Sequence, residues 1–309
     1  MTGSVVTCGS FDGVHRGHQA VLAEIVQRGR VGGRESVVVT FEPHPLTVVN
    51  PPAAPRLLTT LEEKRALLDA TGVSRVAVLP FTPALSQLEP DEFVAMLRTQ
   101  YGMQELVLGH DHGFGRGRSG DVAVLRALGA AQGFAVDVVD AVRDDGTPIS
   151  STVIRTAVAH GHLAQAERWL GRPYAATGRV ERGAGRGRQI GVPTANVALP
   201  DARKLLPPDG VYAVWVKIGG AQKDSRAVAG KRVGGVMNQG ARPTFGVAER
   251  GLEVHLLDFT GELVGETLTI EWVRRLRDVR TFPSPEVLVA QIAADLQAGR
   301  TELKLQGDG

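Results

Sequence analysis

The chain has 309 residues, 43% of them hydrophobic, which is enough for two ordinary hydrophobic cores. Lys and Arg number 35 against 33 Asp and Glu, a net charge of +2, so neither a nucleic-acid nor a membrane partner is expected. The single cysteine, Cys8, excludes an internal disulfide and a cysteine metal cluster, and no apolar run approaches the length of a membrane span. We therefore expect a soluble, cytoplasmic protein of two domains, and nothing in the pattern decides against a homo-oligomer.

The first half alternates short apolar runs with stretches of helical spacing. Runs rich in β-branched residues predict strands at 4–7, 36–41, 75–79, 105–109 and 134–139. Helices are predicted from 17 to 27 and from near Thr60, Pro90 and Gly120, with a capping box at Thr60. This order indicates an α/β domain whose parallel sheet is covered on both faces and binds ligands beyond the carboxyl ends of its strands.

Residues 9–18, directly behind the first predicted strand, read Gly-Ser-Phe-Asp-Gly-Val-His-Arg-Gly-His. A buried strand, a glycine turn and a helix start present free backbone N–H groups to an anion. His15 and His18 are three residues apart and can donate hydrogen bonds to phosphate oxygens as pyrophosphate departs. A metal site is the weaker interpretation, because no cysteine pair or suitably spaced carboxylate lies nearby. The structural alternative is that one histidine caps the helix and the other packs.

A second glycine-rich stretch, residues 115–120, matches the pattern G-x-G-x-x-G, with Asp137 and Asp140 further on as acidic partners. A dinucleotide site is disfavoured there, because residues 109–114 separate the glycines from the strand and leave the loop too long for the tight phosphate turn. The pattern G-x-x-x-x-G-K-[ST] does not occur in the sequence, so ATP chemistry cannot depend on a P-loop.

The segment from Ile149 to Arg155 is predicted to open a helix. Its Ser and Thr hydroxyls can cap that helix, and Arg155 lies one turn further on, where a guanidinium can bind phosphate with two hydrogen bonds. Helical spacing then continues from 157 to 170 and stops at the break 171–173. We place the domain boundary here, with domains at 1–172 and 173–309.

The second half turns to period-two alternation with frequent glycine. Its clearest predicted strands are 211–216, 252–256 and 268–273. Glycine-rich turns between short alternating strands indicate an all-β domain, a closed antiparallel barrel. A terminal helix is predicted from 285 to 297, and its apolar residues are expected to pack on the barrel; they are Val287, Leu288, Ile292 and Leu296.

Two features of this half carry chemistry. The loop containing Gly185 and Gly187 can cradle phosphates with backbone amides, and Thr194 and Asn196 can offer neutral oxygens to Mg²⁺. From composition alone, an ordinary turn is the simpler interpretation of that loop. Glu253 lies on a predicted strand opposite an apolar face, and solvent exposure is the default for it.

Residues 9–18 resemble the signature of the HxGH nucleotidyltransferases, which have a Rossmann-like domain. Three further segments make the first half similar to the amino-terminal module of the bifunctional bacterial riboflavin kinase/FAD synthetases; they are 41–45, 58–65 and 149–152. The resemblance implies that His15 and His18 are catalytic in adenylyl transfer. It also implies a nucleotide and flavin site made of Gly9, Phe11, Asp12, Asp111, Ser151, Thr152 and Arg155. His112 departs from the aromatic residue usual in that family.

The second half resembles the riboflavin kinase module of the same family. The similarity is carried by Pro-Thr-Ala-Asn at 193–196, by Glu-Val-His at 253–255 and by the segments 209–212 and 238–245. It implies that Glu253 is the general base on the ribityl hydroxyl and that Thr194 and Asn196 bind Mg²⁺. It further implies a cofactor-binding role for Gly185, Gly187, Asn238 and Arg242. Val279 stands where that family often has glutamate.

The resemblance implies a two-step enzyme. Riboflavin and ATP would give FMN in the barrel, and FMN with a second ATP would give FAD and pyrophosphate in the first domain, with Mg²⁺ as cofactor. One alternative is a nucleotidyltransferase for another phosphorylated metabolite with an accessory barrel. Another is a flavin-binding regulator without turnover, although none of the catalytic positions is substituted.

Overall fold

The computed structural model describes residues 3–110, 120–183, 185, 187, 190–219, 232–241 and 250–305. The chain divides into two compact units. The first contains Met1–Ile154 with Trp169–Gly171, and the second contains Arg155–Arg168 with Arg172–Gly309. The predicted boundary after residue 172 stays a prediction, and the division of the structure groups 155–168 with the second unit.

The first unit is a parallel sheet with helices, which confirms the predicted α/β class. Its strands are β1 (Ser4–Cys8), β2 (Glu35–Glu42), β3 (Arg75–Pro80), β4 (Met103–Gly109) and β5 (Ala135–Val139), and a short hairpin adds β6 (Arg143–Asp144) and β7 (Thr147–Pro148). The five longer strands lie in the order β3-β2-β1-β4-β5, and every pair is parallel. The chain order reverses at β1, whose neighbours are β2 and β4, and open α/β sheets bind ligands at such a point.

Helices flank these strands. They are α1 (Arg16–Gly32), α2 (Pro45–Val49), α3 (Leu61–Asp69), α4 (Pro83–Ser86), α5 (Pro90–Tyr101) and α6 (Val122–Gln132). The next two helices are α7 (Ser151–Ala159), which begins in this unit, and α8 (Leu163–Leu170), and residues 155–168 of the two are grouped with the second unit. Every residue of β1 is buried. Val6 packs with Phe93 of α5 on one face of the sheet, whereas Val5 packs with Leu22 and Ile25 of α1 on the other. This double burial explains the nearly continuous apolar runs in the sequence.

Helix α1 is longer than the predicted 17–27. It continues through Gly29, which lies so close to the start of β2 that an added Cβ would be 2.9 Å from the Arg34 carbonyl. It ends where Gly33 takes the left-handed conformation, with φ of +60°. Gly29 is therefore a packing position inside the helix.

Arg28 of α1 holds the helix to two strands. Its guanidinium donates to Glu105 of β4 and to Asp137 of β5, each at 2.5 Å. The hydrogen bond from Arg28 lowers the pKa of Asp137. Asp137, one of the two acidic residues considered for a dinucleotide site, thus forms an ion pair with helix α1.

The helical stretch predicted from 157 to 170 is wrong as a single helix. The structure has two helices there, α7 and α8, separated after Ala159. Gly161 adopts a φ of +76°, and the His162 N–H returns to the Ala157 carbonyl at 2.8 Å. A left-handed residue followed by this bond ends a helix, which the apolar spacing alone does not show.

The second unit is a closed antiparallel barrel, as predicted. Its strands are β8 (Ala175–Glu181), β9 (Ala195–Ala198), β10 (Gly210–Ile218), β11 (Arg232–Ala241), β12 (Arg250–Leu256) and β13 (Thr267–Arg277), in the order β10-β11-β12-β9-β8-β13. Trp272 and Gln239 are buried together, with the indole N–H donating to the Gln239 amide oxygen at 3.2 Å. The same amide donates to the Pro207 carbonyl at 2.6 Å, so these buried polar groups have partners.

The terminal helix α9 (Pro285–Leu305) runs eight residues beyond the predicted end. Leu296 and Leu303 pack against Ala213 and Leu257 of the barrel unit. Val287 is 46% exposed, so its predicted packing on the barrel is wrong. The apolar contact is made by the second half of the helix. Among the described residues, no helix is both long enough and apolar enough to cross a membrane.

Removal of the Leu303 side chain tests the anchoring of α9. Leu303 is 4% exposed, so Leu303→Ala should lower the free energy of unfolding of the barrel by about 2 to 4 kcal/mol. The matched control is the exposed neighbour, and Lys304→Ala should change it by less than about 0.5 kcal/mol. Urea denaturation followed by tryptophan fluorescence measures both, because Trp215 and Trp272 lie in barrel strands. Equal effects of the two variants would contradict the packing role.

Candidate active sites

The turn between β1 and α1 has an unusual backbone. Phe11, Gly13 and Val14 have φ angles of 48°, 82° and 39°, in the left-handed region. This conformation is costly for a bulky or β-branched residue, so the surrounding contacts must hold it. Gly9 precedes the turn and lies so close to the Phe11 ring that an added Cβ would be 3.3 Å from it.

Asp12 supplies much of that support. Its carboxylate is 3% exposed and accepts hydrogen bonds from the backbone N–H groups of Leu58 and Thr59, each at 3.0 Å. The Thr59 hydroxyl lies 3.1 Å from the same carboxylate and accepts from the Gly13 N–H at 3.0 Å. The structure therefore turns the Asp12 side chain into the protein, where it fixes the turn. Direct contact of this side chain with a ligand stays a prediction.

Lys64 is a further support that sequence reasoning did not single out. Its ammonium is 6% exposed and donates to the carbonyls of Ser10 and Phe41 at 3.2 and 3.0 Å. Burial lowers the pKa of Lys64, and the charges of Glu42 and Asp12 oppose that shift. Lys64 shares the buried side of α3 with Leu68, and this apolar neighbour at i+4 could have indicated a buried lysine in the sequence. Lysine is rarely buried unless its ammonium group has partners.

His15 is the N-cap of α1. Its Nδ1 accepts from the His18 N–H at 3.3 Å, which places the ring proton of a neutral imidazole on Nε2. The His15 ring is 5% exposed and stacks on His18 with centroids 3.6 Å apart, and Phe11 meets His18 edge-on at 5.0 Å. Capping and packing are therefore both present for His15. The cap uses only Nδ1, so it also fixes the direction of the donor at Nε2.

A second helix N-terminus lies beside this turn. The Ser151 hydroxyl, in the first turn of α7, donates to the Asp12 carbonyl at 2.9 Å. A Cβ added to Gly17 would lie 3.2 Å from the His15 ring and 3.4 Å from the Ile149 carbonyl. The starts of α1 and α7 thus meet, and their free N–H groups and dipoles favour an anion here.

The remaining predicted residues of this site stand as follows. Thr152 is exposed in the first turn of α7, and Arg155 lies one turn further along the same helix. Asp111 and His112 lie outside the described residues, as does most of the 115–120 glycine stretch. The structure brings Gly9, Phe11, His15, His18 and Ser151 together around one turn, from segments about 140 residues apart in the chain.

In the barrel, three predicted residues form one row across three neighbouring strands. Asn196 of β9 pairs with Glu253 of β12, and Glu253 pairs with Asn238 of β11. Residues directly opposite in antiparallel strands point to the same face, so the carboxylate stands between two amides. Glu253 is half-buried on the face opposite the buried Leu252 and Val254, so the default of full solvent exposure does not hold.

Two glycines that precede Asn196 in the chain lie very close to the segment 192–196. A Cβ added to Gly183 would overlap the Asn196 amide, and one added to Gly187 would overlap the Val192 carbonyl and lie 3.3 Å from the Thr194 hydroxyl. Only glycine fits at these two approaches. The exposed Thr194 hydroxyl and the half-buried Asn196 amide form a neutral oxygen donor set, which suits a hard cation.

Other residues of the barrel site are less constrained. Gly185 has a φ of +71° and no atom within 4 Å of an added Cβ. Arg242 lies outside the described residues. Val279 is 51% exposed and lies 3.6 Å from a Cβ added to Gly240. Among the described residues, no three His, Cys, Asp or Glu side chains gather into a metal site.

Comparisons with known proteins assign a family to each part of the chain. A family model described as FAD synthetase matches residues 1–153, and one described as riboflavin kinase matches residues 170–303. The two matches correspond to the parts that carry the β1–α1 turn and the Asn196–Glu253–Asn238 row.

Curated proteins named bifunctional riboflavin kinase/FMN adenylyltransferase are similar over almost the whole chain. The protein from Pseudomonas fluorescens is 43% identical over 300 residues, 96% of this chain and 92% of its own. That from Escherichia coli K12 is 39% identical over 294 residues, 95% of this chain and 90% of its own. That from Bacillus subtilis 168 is 34% identical and covers 95% of this chain and 90% of its own.

A solved structure, described as a macrolide-efflux protein from Streptococcus pneumoniae, has the same fold. It matches with a TM-score of 0.84 at 32% identity, over 97% of this chain and 94% of that one.

A pair of glycine variants tests the constraint on the turn. Gly13 and Gly33 both have positive φ, but a Cβ at Gly13 would lie 2.8 Å from Leu58, whereas nothing lies within 4 Å at Gly33. Gly33→Ala should therefore cost about 1 kcal/mol of unfolding free energy, for the backbone conformation alone. Gly13→Ala should cost about 1 to 3 kcal/mol more, for the steric contact. Urea denaturation followed by circular dichroism measures the difference, and equal costs would contradict it.

Proposed function

This chain belongs to the family of bifunctional riboflavin kinase/FMN adenylyltransferases, and on that premise we propose which of its residues carry the two reactions. The protein converts riboflavin and ATP to FMN and ADP, and then FMN and ATP to FAD and pyrophosphate. We assign the kinase step to the barrel and the adenylyl transfer to the parallel-sheet unit, in keeping with the family models that match the two parts of the chain.

In the adenylyl transfer, a phosphate oxygen of FMN attacks the α-phosphorus of ATP, and the bond to the departing pyrophosphate breaks. Negative charge grows on the leaving oxygens, so the site must offer donors to that charge. The observation that carries our assignment is the His15 cap: because Nδ1 accepts from the His18 N–H, the proton of the neutral ring lies on Nε2, and the ring stacks on His18. The adjacent N-termini of α1 and α7 add a positive electrostatic field.

The binding assignments for this step follow the same geometry. Gly9 allows close approach to the turn, and the Phe11 ring forms an apolar wall. Ser151, Thr152 and Arg155, at the start of α7 and one turn on, are proposed to hold the triphosphate. No covalent nucleophile is required, because the acceptor phosphate is itself the nucleophile.

In the kinase reaction, the ribityl hydroxyl attacks the γ-phosphorus of ATP while its proton passes to a base. Glu253 is proposed as that base, because its half-buried carboxylate stands between the side chains of Asn196 and Asn238. The two amides are uncharged, so neither forms an ion pair with the carboxylate that would weaken it as a base. Positioning and charge stabilisation supply most of the acceleration of phosphoryl transfer.

Mg²⁺ is proposed as the cofactor of this step. The Thr194 hydroxyl and the Asn196 amide oxygen would hold it, and Gly183 and Gly187 leave the space that a side chain would fill. When bound, the cation supplies charge neutralisation to the phosphates of ATP. Gly185 and Gly187 are proposed to face those phosphates with their backbone, and Asn238 and Arg242 to contact substrate.

Two rival functions lose their support. The first rival is a nucleotidyltransferase whose acceptor is a metabolite other than FMN. It is disfavoured because the FAD synthetase family model matches residues 1–153. An accessory or regulatory barrel is disfavoured because Glu253 and Asn196 share one face in register. A cytoplasmic location completes the proposal, since the single buried cysteine suits a reducing compartment.

Glu253→Gln is the test of the kinase base. The substitution preserves size but removes proton acceptance, so FMN formation from riboflavin should fall at least about a hundredfold. FAD formation from supplied FMN should be unchanged, which shows that the loss is confined to the kinase step, and urea denaturation followed by tryptophan fluorescence shows that the barrel is folded. Glu181→Gln is the control, because Glu181 is exposed and pairs with the other side of Asn196. It should retain the kinase activity, and a comparable loss there would refute a specific base at 253.

His15→Asn tests the adenylyl-transfer assignment without removing the helix cap. Asparagine is a strong N-cap, so α1 should keep its stability, but nothing replaces the Nε2 donor. FAD formation from FMN should fall by about 10² to 10³, whereas FMN formation should persist. His160→Asn, at an exposed site, should leave both steps intact. Undiminished FAD synthesis by the His15 variant would remove the assignment.

A further inference from the structure

His255 lies on the same strand face as the proposed base. Strand β12 alternates, with Leu252, Val254 and Leu256 buried and with Glu253 and His255 half-buried on the opposite face. Residues two apart on a strand are separated by about 7 Å along it, so the imidazole is the next side chain beyond the carboxylate. The adenylyl-transfer and kinase steps assigned above make no use of this imidazole.

The imidazole binds a backbone carbonyl of a distant segment. Nδ1 of His255 lies 2.8 Å from the Pro193 carbonyl oxygen, although the two residues are 62 positions apart. A carbonyl can only accept, so Nδ1 carries the proton and donates. The Pro193 carbonyl belongs to the peptide plane that leads into Thr194, so this bond fixes that plane.

The backbone pairing between β9 and β12 does not extend as far as Pro193. The pairing of β9 with β12 ends at Ala195 opposite Val254, and β9 itself begins at Ala195. Pro193 has no N–H with which a ladder could continue. The side chain of His255 therefore extends the connection between the two segments beyond the last paired residue.

The other side of Thr194 is closed by the glycine loop. Gly187 approaches the Thr194 hydroxyl so closely that an added Cβ would lie 3.3 Å from it, and the Gly187 carbonyl accepts from the Val192 N–H at 2.8 Å. Thr194 thus lies next to Gly187, a position that has no room for a side chain, and it follows the residue that His255 binds to strand β12. Loss of the imidazole bond would release the peptide plane that precedes Thr194.

We propose that His255 is a positioning residue of the kinase site, which holds the peptide before Thr194 so that the threonine hydroxyl stays aligned with Asn196. The inference rests on the proposed role of Thr194 and Asn196 in holding the cation and the ATP phosphates. His255 acts through Thr194 and touches no reacting atom, so its effect should fall on the binding of Mg·ATP.

The test uses two amide variants of His255. The side-chain nitrogen of asparagine stands as many bonds from Cβ as Nδ1 does, whereas that of glutamine stands one bond further out. His255→Asn should keep KM for Mg·ATP within about twofold, and His255→Gln should raise it several-fold to about tenfold. KM for riboflavin should change little in either variant. Urea denaturation followed by tryptophan fluorescence, with Trp215 and Trp272 in barrel strands, shows that the barrel of each variant is folded.

Three outcomes would overturn the inference: Gln and Asn variants that both bind Mg·ATP as the parent does, variants that are equally impaired, or a loss confined to the riboflavin KM. Thr194→Val separates this result from the proposed function itself. If that variant leaves KM for Mg·ATP unchanged, the cation assignment fails on its own. If it raises KM while His255→Gln does not, only the role of His255 is lost.

Discussion

The geometry of the first site depends on the buried carboxylate of Asp12. It accepts hydrogen bonds from Leu58 and Thr59, which are 46 and 47 positions away in the chain. These bonds offset the cost of left-handed backbone at Phe11 and Val14, and the same residue accepts the Ser151 hydroxyl at its carbonyl. The signature decad therefore owes its shape to residues outside itself.

In the barrel, strand register performs the equivalent task. Asn196, Glu253 and Asn238 come from three separate strands and share one face because each is paired directly with the next. A shift of one residue in any of these pairings would turn one side chain into the barrel interior. The buried Trp272–Gln239 bond and the docking of Leu303 hold the barrel in which that register is defined.

Much of this was predictable, and the failures have physical causes. The strand positions in the parallel sheet could be predicted from the apolar pattern, because short runs rich in β-branched residues are typical of buried strands. The helical stretch predicted over 157–170 is divided into two helices at Gly161, whose left-handed backbone conformation apolar spacing does not reveal. The role of Lys64 was not predicted, because it depends on hydrogen bonds to two backbone carbonyls that only the folded chain brings close to the ammonium group.

The sequence by itself determined the class of each domain, the family and the identity of the chemical groups, since these depend on periodicity and on short motifs. The tertiary structure decided how those groups face one another. It turned Asp12 inward and directed the His15 proton to Nε2, and it set Glu253 between two amides. Hydrogen-bond partners far apart in the chain make those decisions, because a local pattern fixes neither the distance nor the direction of a contact between distant residues.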